Sequence, residues 1–204
     1  MNPKKSNIAL EEGKLLGHII SKEGIRIDLD KVKGILKVEE LRRKKEIQSF
    51  LGQVNFLRRF IPSFAEILMD ITDMLRKDHE IKWTVGAKKA FKGIKQAISE
   101  ALALISLDFE KDFLVFSYAS EHTVAVVLLQ KNDQGEEHPI AFFSKILRDR
   151  ELRYSIMEKQ AYTLVKSLKD FKIYLLHSHI IAFIPCSVVK SILTQPDPKG
   201  KRAK

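Results

Sequence analysis

Hydrophobic and polar positions change rhythm twice along the chain. The first 25 residues alternate loosely: Leu15-Leu16-Gly17-His18-Ile19-Ile20 runs into Ser21-Lys22-Glu23-Gly24, and Ile25-Arg26-Ile27 follows. Two short apolar runs about a Glu-Gly turn predict a β-hairpin. From Asp28 the apolar spacing becomes three and four. Asp28 or Asp30 can cap a short helix that reaches Lys37 and buries Val32, Ile35 and Leu36. The charged stretch Leu41-Arg42-Arg43-Lys44-Lys45 precedes a longer helix with Ile47, Phe50, Leu51, Val54, Leu57 and Phe60 on its apolar side. Ile61-Pro62 punctuates it, since proline is tolerated in a helix's first turn but not in its interior. A third helix is expected from Ser63 to Arg76, and a fourth opens at Trp83-Thr84 and runs to about Leu102.

The second half begins with strand-length apolar runs, Phe113-Leu114-Val115-Phe116 and Val124 to Leu129. Asn132-Asp133-Gln134-Gly135 supplies a turn, and Pro139 to Phe143 a third strand. An amphipathic helix is expected from Arg150 to Leu168, a fourth strand from His179 to Ile184, a short helix from Val188 to Leu193, and a polar basic tail from Asp197. The order of elements is that of an α+β chain in two parts.

Composition narrows the classes. With 204 residues, 45% hydrophobic and 30% charged, and only 9 Gly and 6 Pro, the chain is globular rather than collagenous or low-complexity. No apolar run approaches the ~18 residues of a membrane span, so no membrane role is expected. Met1-Asn2-Pro3-Lys4-Lys5 lacks the apolar core of a secretory signal. Cys186 is the single cysteine, which excludes an internal disulfide and a cysteine-based zinc site and points to an intracellular address, nuclear or cytoplasmic. Thirty-six Lys and Arg against 26 Asp and Glu leave a net charge of +10, which attracts polyanions in a salt-dependent way.

Several stretches, in this order and spacing, carry a resemblance: Asn2-Pro3-Lys4-Lys5, Leu16-Gly17-His18-Ile19-Ile20-Ser21-Lys22-Glu23-Gly24-Ile25, Ser49-Phe50-Leu51-Gly52, Arg58-Arg59-Phe60-Ile61-Pro62, His138-Pro139-Ile140-Ala141-Phe142 and Tyr154 to Lys159. The chain resembles the polymerase polyprotein of gypsy-type LTR retrotransposons over essentially its whole length. The resemblance implies a palm remnant with a primer-grip hairpin over 1–27, a helical reverse-transcriptase thumb over 28–104, and a ribonuclease-H-like domain over 105–196 that lacks its last strand and helix, followed by the tail at 197–204. Leu16, Gly17 and His18 match the primer grip. Gln48, Gly52 and Phe56 match the thumb helix that tracks the template–primer minor groove, and their spacing of four puts them on one helical face. Gly52 in mid-helix costs about 1 kcal/mol against alanine, which either close approach to a duplex or contact between two helices would explain. Arg42, Arg43, Lys44, Lys45, Arg58 and Arg59 would then lie near phosphate, or else form a solvated face.

The chemistry-bearing positions depart from the family. The polymerase carboxylates of these elements lie upstream of Asn2-Pro3-Lys4-Lys5, so polymerase activity is not expected of these residues. Ribonuclease H cleavage uses carboxylates around two Mg2+ ions. Where the family reads Thr-Asp-Ala-Ser this chain has Ser117-Tyr118-Ala119-Ser120; its helical Glu-Lys-Glu is Glu158-Lys159-Gln160; its Thr-Asp-His aligns with Ile184-Pro185-Cys186. Tyr118, Gln160 and Pro185 cannot hold magnesium as carboxylates do, and Glu121 and Glu158 are expected to face solvent. No catalytic residue, metal or cofactor is therefore expected. Ile156 to Tyr162 and His177 to Ala182 look like the plant lineage with a second ribonuclease H, in which the original domain became a connection-like tether.

Three readings follow. The first is a non-catalytic fragment that binds RNA–DNA hybrid or duplex weakly, by backbone and groove shape rather than by base sequence. The second is a protein-interaction module, with a partner or a second copy covering the edge of the shortened sheet, or a genomic relic with no role. The third, a residual ribonuclease H, requires magnesium-dependent cleavage.

Overall fold

The computed structural model describes residues 11–184, apart from 40, 77–80, 102 and 177. The expected helix over 188–193, the tail, Pro185 and the Asn2–Lys5 motif lie outside the described residues. Strands β1 (Glu12–Leu15), β2 (His18–Ser21) and β3 (Gly24–Ile27) form an antiparallel meander. The single hairpin expected here is two, because Leu16 and Gly17 both take left-handed conformations (φ 50° and 83°) and reverse the chain inside an apolar run that reads as continuous. A short strand, β4 (Leu104–Ile105), adds to β3. It can do so because position 24 is glycine: a Cβ there would stand 2.0 Å from the Leu104 carbonyl oxygen. The boundary expected between 104 and 105 thus falls inside a strand.

Helix α1 (Leu29–Leu36) is capped by Asp28, whose carboxylate accepts from Asp30 N at 3.1 Å, which settles the choice between the two aspartates. Helix α2 (Lys44–Asn55) stops a turn earlier than its apolar spacing implies and gives way to a 3₁₀ turn at Arg58–Phe60. Ile61, the residue before Pro62, is extended (φ −116°, ψ 117°), as the proline ring requires of its predecessor. The single helix expected over 63–76 is broken into α3 (Phe64–Ile67) and α4 (Met69–Asp73) at Leu68, where the Thr72 hydroxyl donates back to the Leu68 carbonyl at 2.8 Å. Helix α5 (Val85–Ser99) starts from Thr84, whose hydroxyl accepts from Ala87 N. Val32, Ile47, Phe50, Val54, Phe60, Ile71, Ile94 and Leu104 are among the side chains of the core that these elements share.

The second sheet has the order β7-β6-β5-β8. Strands β5 (Phe113–Ala119), β6 (Thr123–Lys131) and β7 (Glu137–Ile146) follow one another antiparallel, and β8 (Ile180–Phe183) pairs parallel with the free side of β5. A parallel neighbour needs a crossover, supplied by α6 (Ile156–Asp170) and α7 (Lys172–Leu175). The expected helix start at Arg150 moves to Ile156, because Ser155 and Glu158 form a reciprocal capping box there; residues 149–153 make a 3₁₀ turn. Phe113 and Val115 pack with Leu164, Phe171 and Leu175 into a second core. On the other side of β5, Phe116 stacks on Phe183 with ring centroids 4.2 Å apart. The mixed α+β class read from the sequence holds, and no helix among the described residues is long and apolar enough to cross a membrane.

The two parts are joined by specific contacts. Phe142 of β7 packs on the first core. Ala65 N donates to the Ser144 hydroxyl at 2.9 Å, the Arg59 guanidinium donates to the Tyr174 hydroxyl, and Arg58 pairs with Asp170 at 3.8 Å.

Candidate nucleic-acid interface

The site is built on α2, whose core face (Ile47, Phe50, Val54) fixes what its other face presents. Gln48 and Gly52 lie on that outer face, both exposed and only 40° apart around the axis. An added Cβ at Gly52 would meet nothing within 4 Å. Contact between two helices therefore does not explain the glycine. Phe56, expected in the same row, does not stay in it: the helix ends at Asn55 and Phe56 caps it, half-buried against the first core and edge-on to His18 at 5.7 Å. Asn55, at the helical spacing that continues 48 and 52, takes its place on the open side.

At the hairpin tip, Leu16 is exposed and the Gly17 carbonyl accepts from Asp28 N at 3.1 Å, which ties the turn to the start of α1. The His18 ring stacks on Phe60 at 5.2 Å with an 18° tilt, so it faces the first core rather than outward. The hairpin and the end of α2 are thus held together by three rings.

The basic residues divide. Arg42, Arg43 and Lys45 are exposed at the start of α2. The Glu46 carboxylate accepts from Arg42 N (2.8 Å) and Arg43 N (3.1 Å), which holds its pKa below the usual carboxylate value and fixes that turn. Lys44 is half-buried and donates to the Arg76 carbonyl at 3.2 Å. Arg59 is turned inward: its guanidinium lies over the Tyr174 ring at 5.6 Å, and burial, with Arg58 beside it, pushes its pKa below the ordinary value. Its expected place near phosphate is replaced by a contact between the two parts of the chain, because an aromatic partner 115 residues away was invisible to local spacing. Arg58 keeps an exposed guanidinium beside Asp170.

Between α2 and β7 lies a cleft of about 570 Å³, lined by Gly52, Asn55, Arg58, Ser144, Lys145 and Arg148 among others. Lys145 belongs to a network with Glu151 and Tyr162 in which each of the three hydrogen-bonds the other two. Burial alone would lower the Lys145 pKa, yet its bonds to Glu151 and Tyr162 outweigh that and hold it above normal. Burial likewise works against the Glu151 carboxylate, and the Lys145 and Tyr162 bonds, with Arg148 N, still bring its pKa below normal. For Tyr162 burial and the Glu151 contact both raise it. Lys145 and Arg148 carried no signal in the sequence, since only the fold of β7 against α2 brings them to this face.

The positions that the resemblance assigns to nuclease carboxylates lie elsewhere, on β5 and α6. Tyr118 is 62% exposed on the side of β5 that carries Phe116, away from the α6-facing Val115. Gln160 is half-buried on α6. Glu158 is spent on the α6 cap, accepting from Ser155 N at 2.8 Å and from its hydroxyl at 2.9 Å. The Glu121 side chain is open to solvent, while its carbonyl accepts from the buried Lys159 ammonium at 2.8 Å. A phenol and a carboxamide in place of carboxylates do not fit a magnesium pair, and among the described residues no three His, Cys, Asp or Glu side chains gather as a metal site.

Residues 83–182 match the model of the RNase H-like domain found in reverse transcriptase. The Tf2-3 and Tf2-4 transposon polyproteins of Schizosaccharomyces pombe are 29% identical to the chain over 205 residues, which is 99% of this chain and 15% of each polyprotein. The chain is similar to the reverse transcriptase and RNase H-like region of a retrotransposon polyprotein. Its fold agrees: the foamy viral protease-reverse transcriptase in complex with dsDNA matches with a TM-score of 0.76 and 28% identity over 97% of this chain and 41% of that one. The same protein in complex with an RNA/DNA hybrid matches with a TM-score of 0.75 and 29% identity, over 90% of this chain and 25% of that one. The RNase H-like stretch opens at Trp83, so α5, which builds the core beside α2, is part of the matched region.

Proposed function

We propose that the chain binds RNA–DNA hybrid or duplex nucleic acid without sequence specificity, through phosphate and groove shape, and does not cleave it. The observation that carries this reading is Gly52: a mid-helix glycine, exposed, with open space where its side chain would stand, beside Gln48 and above the cationic cleft against β7. A residue that weakens its own helix and packs against nothing fits a surface that another backbone approaches closely. The complexes of the foamy viral enzyme with dsDNA and RNA/DNA hybrid support the ligand class. Tyr118 and Gln160 support inactivity, and together with the motifs at 156–162 and 177–182 support a gypsy-type origin in the plant lineage with a second ribonuclease H.

The test is fluorescence anisotropy with a labelled RNA–DNA hybrid of ~20 base pairs at 50 and 200 mM salt. Three phosphate contacts give a fall in affinity of about 40-fold between the two. Changing Arg42, Arg43 and Lys45 to glutamine removes most of that fall. Absence of binding at 50 mM by folded protein overturns the reading, and so does magnesium-dependent cleavage of the RNA strand that EDTA abolishes and repurification preserves. A protein-contact role has one observation in its favour: Ile181, Phe183 and Tyr118 leave apolar surface exposed beside β8, the strand at the edge of the sheet among the described residues.

A further inference from the structure

Helix α5 carries Lys88, Lys89, Lys92 and Lys95 and no acid anywhere between Val85 and Ser99. For the helix itself this is unfavourable, since Lys88 and Lys92 are one turn apart, where like charges repel. Lys95 is used internally: its ammonium donates to the Val38 carbonyl and lies 4.7 Å from the Phe91 ring centre. Lys88 and Lys92 are exposed, and no carboxylate among the described residues comes within 4.0 Å of either. They line a cleft of about 370 Å³ with Trp83, Phe91 and Glu39.

This cleft adjoins the basic start of α2. Trp83 Nε1 donates to the Leu41 carbonyl at 2.8 Å, so the residue that precedes Arg42 is held against the residue that precedes the α5 cap. Lys44, by its bond to Arg76, fixes the same end of α2 to the segment leading into α5. Two groups of cations some forty residues apart in sequence are brought to adjoining surface, on the opposite end of α2 from the Arg58 cleft.

We propose that Lys88 and Lys92 extend the Arg42–Lys45 run into one track for the phosphate backbone of nucleic acid. The proposal rests on the nucleic-acid reading above and adds a contact surface to it. The axial rise between the two lysines is about 6 Å, near the ~6.8 Å that two nucleotides of one strand rise along a duplex. Cations repeated at that interval and left without acidic partners suit a regular polyanion better than the irregular charges of a folded protein.

The experiment compares the salt dependence of hybrid binding in the full chain and in a Lys88→Gln/Lys92→Gln variant. Losing two phosphate contacts makes the slope of log affinity against log salt shallower by about 1.8, so the fall between 50 and 200 mM shrinks about 12-fold. The thermal midpoint should stay level or rise, because like-charge repulsion is relieved, and Lys88→Arg/Lys92→Arg should keep the wild-type slope. Should the double variant fold poorly, Lys92→Gln alone should take about 0.9 from the slope. A variant slope equal to wild type, with wild type binding normally, overturns this inference alone. Failure of the wild type to bind overturns it together with the reading beneath it. Binding of a labelled polyglutamate peptide that needs Lys88 and Lys92, with the hybrid slope unchanged, assigns the track to acidic protein and also overturns it.

Discussion

Replacing Gly52 with alanine should strengthen the fold and weaken the binding. Position 52 lies well inside α2, with three residues of helix after it, and its added Cβ would meet no atom within 4 Å. Neither strain nor packing then offsets the gain in helix propensity, which is about 1 kcal/mol for alanine over glycine. For a chain of this size, that raises the thermal midpoint by about 2–4 °C. On the ligand side the new methyl stands beside Gln48, where a duplex would lie. Pushing the backbone away from one hydrogen bond loses about 1 kcal/mol, close to fivefold in Kd. Scanning fluorimetry measures the first effect and anisotropy with the hybrid the second. A lower midpoint would refute the open-space argument. A higher midpoint with unchanged Kd would show that α2 does not face the ligand by this side.

Two further predictions concern a contact between the parts and the network beside the cleft. Arg59→Ala removes the guanidinium from Tyr174 and should cost about 1–3 kcal/mol of stability, read as a lower midpoint, while the salt slope of binding stays as in wild type; a shallower slope would return Arg59 to the phosphate surface. Glu151 has a folded pKa below its unfolded value of about 4.3, so its contribution to stability is complete above the unfolded value and is lost as pH falls through the folded one. The midpoint should therefore drop on acidification below about pH 4.3, and less so in Glu151→Gln; equal pH dependence in the two proteins would show that the Lys145–Glu151–Tyr162 network does not set it.

What the sequence revealed and what it concealed follow from the range of the interactions involved. Apolar spacing located α1, α2, α5 and the strands β5 to β7, since each depends on its own repeat. Interruptions were harder to see. The Leu16-Gly17 reversal sits inside an apolar run, and the break at Leu68 depends on a hydroxyl one turn later. The α2 stop at Asn55 reflects how Phe56, His18 and Phe60 pack, which couples a helix end to a hairpin nearly forty residues earlier. For the candidate site, Gln48 and Gly52 were legible as a helical row. Phe56 and Arg59 were misplaced for the same reason, a partner distant in sequence. Lys145 and Arg148 could not have been found, because their place on the cleft is a property of β7 docking on the helical first part.

The arrangement also separates two properties that share one scaffold. Carboxylates gathered for a pair of metal ions repel one another until the ions arrive. On the proposed reading Tyr118 and Gln160 remove that requirement, and the polar groups around them are used for structure: Lys159 holds the β5–β6 turn through the Glu121 carbonyl, Thr163 donates to the Lys159 carbonyl, and Ser167 to that of Leu164. The segment that follows α2 is held by β7 through Ser144 and by α6 and α7 through Asp170 and Tyr174. In the proposed reading, then, the RNase H-like half needs no charge at 118 or 160 to carry out its part. Its contribution is to hold β7, α6 and α7 against the segment from Arg58 to Ala65, which fixes the end of α2 beside the cleft that the nucleic acid would enter.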